Sequence, residues 1–264
     1  RYRMRIIQII SKDLNPLDLN VLSLPLLTSS FGRLLHERLQ NVALDMDFPG
    51  DLWPSDDVVA ALENGKALKD DALYEGGLKV RYPWDLLQLN DILTGSLTQS
   101  HCAGVCHPTA VLDGNIIIGE NTRILPGVFI EGNVIIGKNC KIGPNCYIRG
   151  NTAIGDNCRI CHAAEIKNSL LAPYVRVDPL CYIGDTVIDR NSTIGAGTVT
   201  ANMRHDGGAG RFMIRGKLVD TGRSKFGAII GSCVHTGINT AIYPGRKLFP
   251  GVATRPGEVI MRDL

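Results

Sequence analysis

A short stretch near residue 100 carries the side chains that come nearest to a metal site. Two histidines and two cysteines fall within seven residues, His101-Cys102-Ala103-Gly104-Val105-Cys106-His107. Zinc sites combine thiolates and imidazoles, but they usually complete the ligand set with a second pair elsewhere in the chain. No second pair follows, and directly adjacent His and Cys side chains would crowd one ion. We therefore interpret the stretch as the first coil of a repeat structure and predict no metal requirement.

A second candidate for chemistry is the stretch 203–227, which is rich in glycine and positively charged. Its charged residues are Arg204, Arg211, Arg215, Lys217, Arg223 and Lys225, with Asp206 and Asp220. A loop of this length inside a compact fold is usually functional or an oligomer contact. We predict that it reaches toward a neighbouring subunit. A solvated excursion is the alternative.

The element that must position such residues is a repeat with a strict period of six. Aliphatic residues fall at Leu112, Ile118, Ile124, Ile130, Ile136, Ile142, Ile148, Ile154, Ile160 and Ile166. This period fits neither a helix nor a plain strand. It is typical of a chain that turns a corner every six residues and stacks each coil on the previous one. With three hexapeptides per coil, residues 107–200 supply about five coils.

The period slips after this regular stretch and then returns. The next inward positions are predicted to be Leu171, Val177, Ile183, Ile188 and Ile194, and after the basic loop Ile230, Thr236, Ile242, Leu248, Thr254 and Ile260. The second series adds about two coils. We therefore predict a mainly β protein with a parallel β-helix of about seven coils, and we expect function where the period falters.

Residues 1–100 lack the period and are interpreted as a small mixed α+β segment. We place a domain boundary near residue 100 and assign residues 101–264 to the β-helix, with 203–227 as an inserted loop. A strand is predicted over Tyr2–Ile10, and helices are predicted over Ser30–Ala43, from Ser55 through Leu62, and directly behind Pro83. No glycine-rich phosphate-binding loop is present in this segment.

Composition excludes several classes of function. Hydrophobic content is 44% and aromatic content only 6%, which suits a core of stacked Ile and Val. The formal net charge of +2 gives no drive toward nucleic acid or a membrane surface. No apolar run reaches the ~18 residues of a membrane span, and no signal peptide is recognisable. We expect a cytoplasmic protein whose eight cysteines are free thiols.

The chain resembles one enzyme family specifically. The motifs are AEIKNSLLAPYVRVDPLCYIGDTVIDRNSTIGAGTVTANMRHD at 164–206, GKLVDTGRSKFGAIIGSCVHTGINTAIYPGRKLFPG at 216–251, and YPWDLLQLN at 82–90. They are similar to the C-terminal acetyltransferase domain, and the linker before it, of bifunctional sugar-1-phosphate nucleotidyltransferase/glucosamine-1-phosphate acetyltransferases, especially the archaeal-type UDP-N-acetylglucosamine pyrophosphorylase-related proteins. The resemblance covers roughly residues 80–260. It implies left-handed coils, a homotrimer with sites between subunits, acetyl-CoA as co-substrate and an amino-sugar 1-phosphate as acceptor. The family's nucleotidyltransferase domain has no counterpart in residues 1–80, so that activity is not expected from this chain.

The resemblance assigns a sugar-phosphate site residue by residue. Arg149 and Lys167 match the family's phosphate-binding Arg and Lys, and their separation of 18 residues is one full coil, so both project from one face. Tyr182 matches the family's Tyr and Asn202 its second Asn, whereas Thr193 replaces the other Asn. A cofactor contact is also implied. Backbone groups of Gly195, Ala196 and Gly197 are expected to hold the pantetheine arm of acetyl-CoA.

The catalytic base is the main departure from the family. The family uses a His three residues before the Tyr to remove a proton from the attacking amine, and this position is Pro179. Proline has no titratable side chain and cannot serve as a base. The possible substitutes are His162, His205 and His235, with Asp178 as an outside candidate.

Three functions remain open from the sequence. The first is a CoA-dependent N-acyltransferase weakened by the loss of the catalytic His. The second is a trimer that binds a sugar phosphate or nucleotide sugar without catalysis. The third, a γ-type carbonic anhydrase, needs three His gathered around zinc from adjacent coils, and His162 and His235 are isolated.

Overall fold

The structure, a computed structural model, describes residues 6–7, 25–26, 29–30, 48–49, 52–64, 66, 75–80, 82–214 and 217–264. These residues form a mainly β protein with two α-helices and a parallel β-solenoid of about nine turns. The predicted class, a left-handed parallel β-helix, is confirmed, although the number of coils exceeds the predicted seven. Apart from Ser30, which ends a short strand, the helix predicted over Ser30–Ala43 lies outside the described residues.

The described part of the first 100 residues contains short strands and both helices. The strands are β1 (Ile6–Ile7), β2 (Pro25–Leu26), β3 (Ser29–Ser30), β4 (Phe48–Pro49), β5 (Leu52–Pro54) and β6 (Gly77–Lys79). The helices are α1 (Asp56–Glu63) and α2 (Asp85–Gly95). The helices predicted from Ser55 and directly behind Pro83 are confirmed, and Ser55 caps α1 because its hydroxyl accepts a hydrogen bond from the Val58 N–H at 3.4 Å. The domain boundary near residue 100 stays a prediction.

The solenoid has three faces, and we name them A, B and C. Face A is a seven-stranded parallel sheet of β8 (Val105–Cys106), β10 (Arg123–Ile124), β12 (Lys141–Ile142), β14 (Arg159–Ile160), β17 (Arg176–Val177), β20 (Thr193–Ile194) and β25 (His235–Thr236). Faces B and C share three long strands that bend around a corner, β9 (Val111–Ile118), β11 (Phe129–Ile136) and β13 (Tyr147–Ile154). The His101–His107 stretch supplies β7 and β8 of the first coil, as interpreted from the sequence.

The remaining strands complete faces B and C. Face B continues with β15 (Glu165–Lys167), β18 (Tyr182–Gly184), β21 (Val199–Thr200), β26 (Ala241–Ile242) and β28 (Val259–Ile260). Face C begins with β7 (His101–Cys102) and continues with β16 (Leu170–Leu171), β19 (Val187–Ile188), β24 (Ala228–Ile230) and β27 (Arg246–Leu248).

The core is the predicted column of aliphatic side chains. Ile130, Ile148 and Ile166 are fully buried, and the slipped positions Leu171 and Ile188 are buried as predicted. Each buried aliphatic side chain contributes about 1.5–3 kcal/mol, so the stack is the main source of stability. Leu112 is a correction. It was predicted to point inward but is 40% exposed, because no described strand stacks on that side of the first half of β9.

Face C is covered by helix α2. Leu86, Leu87 and Leu89 of this helix are almost completely buried, and the helix packs against β11, β13 and β16. Asn90 also donates a hydrogen bond from its Nδ2 to the Asn151 carbonyl at 2.8 Å. Helix α2 therefore covers the long strands on face C. Neither described helix is long and apolar enough to cross a membrane.

The 203–227 stretch interrupts the solenoid, as predicted from the loss of the period, and packs partly on its own chain. It contains an antiparallel hairpin of β22 (Arg211–Ile214) and β23 (Lys217–Asp220), and it folds back onto its own chain. The Phe212 ring stacks on Trp84 at 4.7 Å and meets Phe226 edge-on at 4.9 Å, while Arg223 Nη1 lies 3.1 Å from Asp91 Oδ2 of α2. Packing of Phe212 against Trp84 and Phe226 anchors the hairpin to its own chain, and the expected contact with a neighbouring subunit stays a prediction.

Candidate functional site

Three of the predicted sugar-phosphate residues, Arg149, Lys167 and Tyr182, lie on face B, in two parallel columns. We define a column as the residues that occupy the same register position on successive coils, spaced about 4.8 Å apart. The first column holds Tyr147, Glu165, Tyr182 and Val199, and the second holds Glu131, Arg149, Lys167 and Gly184. Arg149 and Lys167 are direct register partners, so the structure places them one coil apart on one face.

Arg149 is held by a carboxylate on the next coil. Its Nη2 lies 2.7 Å and its Nε 3.0 Å from Glu165 Oε1, and its guanidinium lies over the Tyr147 ring at 5.2 Å. The hydrogen bond to Glu165 raises the pKa of Arg149, so its charge is permanent. Tyr147 is fixed in turn, since its hydroxyl donates to Glu131 Oε1 at 2.5 Å. The guanidinium is therefore oriented before any ligand arrives.

Lys167 has a buried counter-ion. Its Nζ lies 3.6 Å from Asp185 Oδ2, and the side chains of Lys167 and Asp185 are 13% and 2% exposed. The same Asp185 Oδ2 accepts a hydrogen bond from Asn202 Nδ2 at 2.6 Å. Asp185 thus connects two residues that the sequence assigned to the site independently.

Tyr182 completes the group. Asn202 Nδ2 also lies 3.3 Å from the Tyr182 hydroxyl, which accepts from it. Burial raises the pKa of Tyr182, and the nearby carboxylates Glu165 and Asp185 act in the same direction. Its phenol is therefore protonated at neutral pH and can donate a hydrogen bond to a ligand oxygen.

The four residues Arg149, Lys167, Tyr182 and Asn202 are brought together, but by partners that the sequence analysis missed. Glu165 and Asp185 pair one carboxylate with each cation, so the site holds two positive and two negative charges. A signal for Glu165 existed, because it follows Tyr147 and precedes Tyr182 in the same column. Asp185 follows Gly184 at a corner, and the six-residue period does not indicate that its side chain contacts Lys167.

Thr193 is not with the other four residues in this chain. It lies on face A, in register with Arg176 and His235. Gly195, Ala196 and Gly197 form the corner that follows. Their backbone is largely engaged, since the Gly195 N–H donates to Thr236 Oγ1 at 2.9 Å, the Gly197 N–H to the Pro179 carbonyl at 2.9 Å, and the Ala196 carbonyl accepts from Asn239.

Pro179 lies at the corner between faces A and B, three residues before Tyr182. His162 occupies the matching corner one coil earlier, because β14 and β17 are in register and the Leu180 N–H donates to the His162 carbonyl at 3.0 Å. The His162 ring is exposed. Asp178 is engaged by Arg176, whose Nε lies 2.6 Å from its Oδ1. Among the candidate bases, His162 is the one at the corner of the site.

The other two histidines lie elsewhere. His235 is exposed on face A. His205 follows Asn202 and lines a cavity of about 370 Å³ with Met203, Arg204, Tyr243 and neighbouring residues. This cavity lies on the coils that follow the sugar-phosphate residues. Within the described part of the chain, no three His, Cys, Asp or Glu side chains gather as a metal site requires.

Comparison with known proteins finds sequence similarity over most of the chain. A family model described as the GMPPB C-terminal domain matches residues 130–243, which include Arg149, Lys167 and Tyr182. The bifunctional sugar-1-phosphate nucleotidylyltransferase/acetyltransferase of Sulfurisphaera tokodaii is 36% identical over 72% of this chain and 48% of its own length. The bifunctional protein GlmU of Methanococcus maripaludis is 37% identical over 81% of this chain and 52% of its own length. The chain resembles the C-terminal acetyltransferase-type domain of these bifunctional proteins.

This chain spans about half the length of the curated relatives it matches. Solved structures match at lower similarity. A hexapeptide transferase family protein from Anaplasma phagocytophilum has a TM-score of 0.26 at 17% identity, covering 59% of this chain and 72% of its own. The N-acyltransferase AntD from Bacillus cereus has a TM-score of 0.28 at 15% identity, covering 67% of this chain and 79% of its own.

Proposed function

We propose that this acetyltransferase-type domain is a CoA-dependent N-acyltransferase that acts on an amino-sugar 1-phosphate, with a rate reduced by the loss of the family's catalytic His. The observation that carries the proposal is the pairing of two cations and two carboxylates on one face. An amino-sugar phosphate carries both a negative phosphate and a positive amine. A site with both signs in fixed positions complements such a ligand better than it complements a simple anion.

The phosphate is placed on Arg149 and Lys167. Arg149 presents a planar fork of donors, which suits phosphate oxygens, and Lys167 adds a point charge one coil away. Glu165 bonds to Arg149 and is the register partner of Tyr182, and in this proposal it accepts a hydrogen bond from the sugar's amine. Tyr182 donates to a ligand oxygen, and Asn202 binds the amide that forms.

Acyl transfer requires that the amine nitrogen attacks the thioester carbonyl carbon. A carbon–nitrogen bond forms, the carbon–sulfur bond breaks, CoA leaves as the thiolate, and the amine loses a proton. A side chain at Pro179 cannot take this proton. His162 lies one coil earlier at the same corner and is the base we assign, at a position one coil farther from Tyr182. This displacement is the physical reason for a reduced rate.

The acyl donor is placed on the later coils. The cavity lined by Met203, His205 and Tyr243 begins next to Asn202 and is large enough for the end of a pantetheine arm. The corner Gly195–Gly197 borders the path between Pro179 and this region. Thr193 lies on face A, so it joins the site only from a second copy, in agreement with a homotrimer whose sites lie between subunits.

The deciding assay mixes the protein with acetyl-CoA and glucosamine 1-phosphate and measures free CoA. The unaltered protein is expected to release CoA slowly. Pro179→His is expected to raise kcat by about 10²-fold, which is the usual contribution of a positioned base. Pro179→Ala is the control, since it removes the ring without adding a base and leaves the rate unchanged. Release of CoA by Pro179→His alone would show that the unaltered chain is not an enzyme.

That outcome favours the second candidate function, a trimer that binds a sugar phosphate without catalysis. Pro179 is the observation behind this candidate. Calorimetry with glucosamine 1-phosphate tests it through Arg149→Ala, which is expected to weaken binding at least tenfold, and through the exposed face A residue Arg159→Ala, which is expected to change nothing. If the sugar phosphate does not bind, or if Arg149→Ala has no effect, both functions are wrong.

A further inference from the structure

We propose that Asp185 is a positioning residue of this site, which sets Lys167 and Asn202 in the arrangement that selects an amino-sugar phosphate over phosphate itself. The inference rests on the proposed function. The carboxylate is 2% exposed, and its two oxygens have three partners. Oδ2 meets Lys167 Nζ at 3.6 Å and Asn202 Nδ2 at 2.6 Å, and Oδ1 accepts from Asn168 Nδ2 at 3.4 Å.

The main chain fixes this carboxylate from both sides. Asp185 has a φ of +48°, in the left-handed region that Asp and Asn adopt more readily than other side chains. Its N–H donates to the Lys167 carbonyl at 2.8 Å, and its own carbonyl accepts from the Gly227 N–H at 2.9 Å. The side chain therefore leaves the corner in one direction, toward the second column of face B.

Space for these contacts comes from the residue before it. A Cβ on Gly184 would lie 2.8 Å from both Asn202 Nδ2 and the Tyr182 hydroxyl. Because glycine occupies this position, the Asn202 amide can cross the coil and reach Asp185. Gly184 is the register partner of Lys167 on the following coil, and it has no side chain that could support the lysine. Asp185 is therefore the group that restrains the long and flexible Lys167 side chain.

The negative charge of Asp185 makes its positioning role testable. A buried carboxylate is tolerated only where cations and donors compensate for its lost hydration. Asp185 therefore holds Lys167 in place, but it also neutralises part of the lysine's attraction for phosphate. Removing the charge should loosen the geometry and increase the free positive charge at once. The two effects act oppositely on a ligand that needs the geometry and on one that needs only the charge.

The experiment compares Asp185→Asn with the unaltered protein by calorimetry, using glucosamine 1-phosphate and inorganic phosphate as separate ligands. Affinity for the amino-sugar phosphate is expected to fall about tenfold, as for the loss of a hydrogen bond to a charged group. Affinity for inorganic phosphate is expected to stay the same or rise. Asp189→Asn is the matched control, because Asp189 is also a buried carboxylate but bonds to the Arg190 N–H at 2.7 Å outside the site. It is expected to leave both affinities unchanged.

Two results would overturn the role of Asp185 alone. One is unchanged affinity of Asp185→Asn for the amino-sugar phosphate, and the other is an equal loss for both ligands, which shows general damage to the fold. A double variant tests whether Asp185 acts through Lys167. If it does, Asp185→Asn should add little to the loss of amino-sugar phosphate affinity that Lys167→Met causes. No binding of the amino-sugar phosphate by the unaltered protein would instead overturn the proposed function, and the role of Asp185 with it.

Discussion

At the scale of single residues, the cysteines fall into buried and exposed groups. Cys146 and Cys181 occupy inward positions, where each thiol lies near a carbonyl of the next coil, at 2.9 Å for Cys146 and 3.2 Å for Cys181. Burial raises the pKa of both thiols to about 11. Cys102 and Cys233 are exposed. The thiols therefore serve as packing groups inside and as accessible groups outside.

We predict a clear difference in alkylation between these two pairs. A thiol with a pKa of about 11 is about one-thousandth thiolate at pH 8, and the thiolate is the reactive form. Iodoacetamide at pH 8 should modify Cys102 and Cys233 first and leave Cys146 and Cys181 intact in the folded protein. Peptide mapping by mass spectrometry measures this. In denaturant all eight cysteines should react, and modification of Cys146 in the folded protein as fast as Cys233 would contradict the described packing.

Most of the site at this scale followed from the resemblance rather than from the period. Arg149, Lys167, Tyr182 and Asn202 were assigned by motif, and the structure brings them together on face B. The carboxylate partners were missed because a contact across coils depends on side-chain reach. Glu165 meets Arg149 from 16 positions along the chain, and Asp185 meets Asn202 from 17. The repeat length gives the register of backbones, but it does not say which of two neighbouring side chains turns toward the other.

At the scale of elements, helix α2 and the hairpin β22–β23 form one covering layer. The helix was predictable because Pro83 precedes a run of apolar residues with helical spacing. The hairpin was not, because its burial depends on Trp84, which is distant in sequence. The stretch 203–227 lacks the six-residue period, so its sequence does not indicate that Phe212 packs on Trp84. The basic stretch is thus anchored to its own chain, and its contact with a neighbouring subunit stays a prediction.

Substitutions in α2 test this layer. Leu86 is completely buried, whereas Ile92 on the same helix is 46% exposed. Leu86→Ala should lower the free energy of unfolding by about 2–5 kcal/mol, because it leaves a cavity against the solenoid. Ile92→Ala removes a similar number of atoms but should cost under about 1 kcal/mol. The urea midpoint of each variant measures the difference. Equal midpoints would show that α2 is not packed on face C.

At the scale of the whole molecule, the regular coils were predicted well, since one aliphatic residue per six fixes an inward side for every strand. The register after the insertion was also recovered, because Ile230, Ile242 and Leu248 return to buried positions. The number of subunits is a different matter. Thr193 lies on face A and Arg149 on face B, so the proposed site includes Thr193 only if a second copy of the chain supplies it.

We therefore predict that the protein is a trimer in solution. Multi-angle light scattering should give three times the chain mass of 28.6 kDa. Dilution should lower the acyltransferase rate per chain if the trimer dissociates, because each site would lose its contribution from a neighbour. A monomer that retains full activity would show that Thr193 has no part in the site.

The stacking of register partners has a consequence for ligand size. Along a column each residue stands a fixed step of about 4.8 Å from the next, so distances along that column come in multiples of the step. A ligand anchored at Arg149 and Lys167 meets Tyr182 one step beyond the lysine and Val199 two steps beyond it. The length of a ligand therefore determines which coils it contacts. Ligands that differ in length by less than one coil spacing contact the same residues, whereas a longer ligand also contacts the next coil.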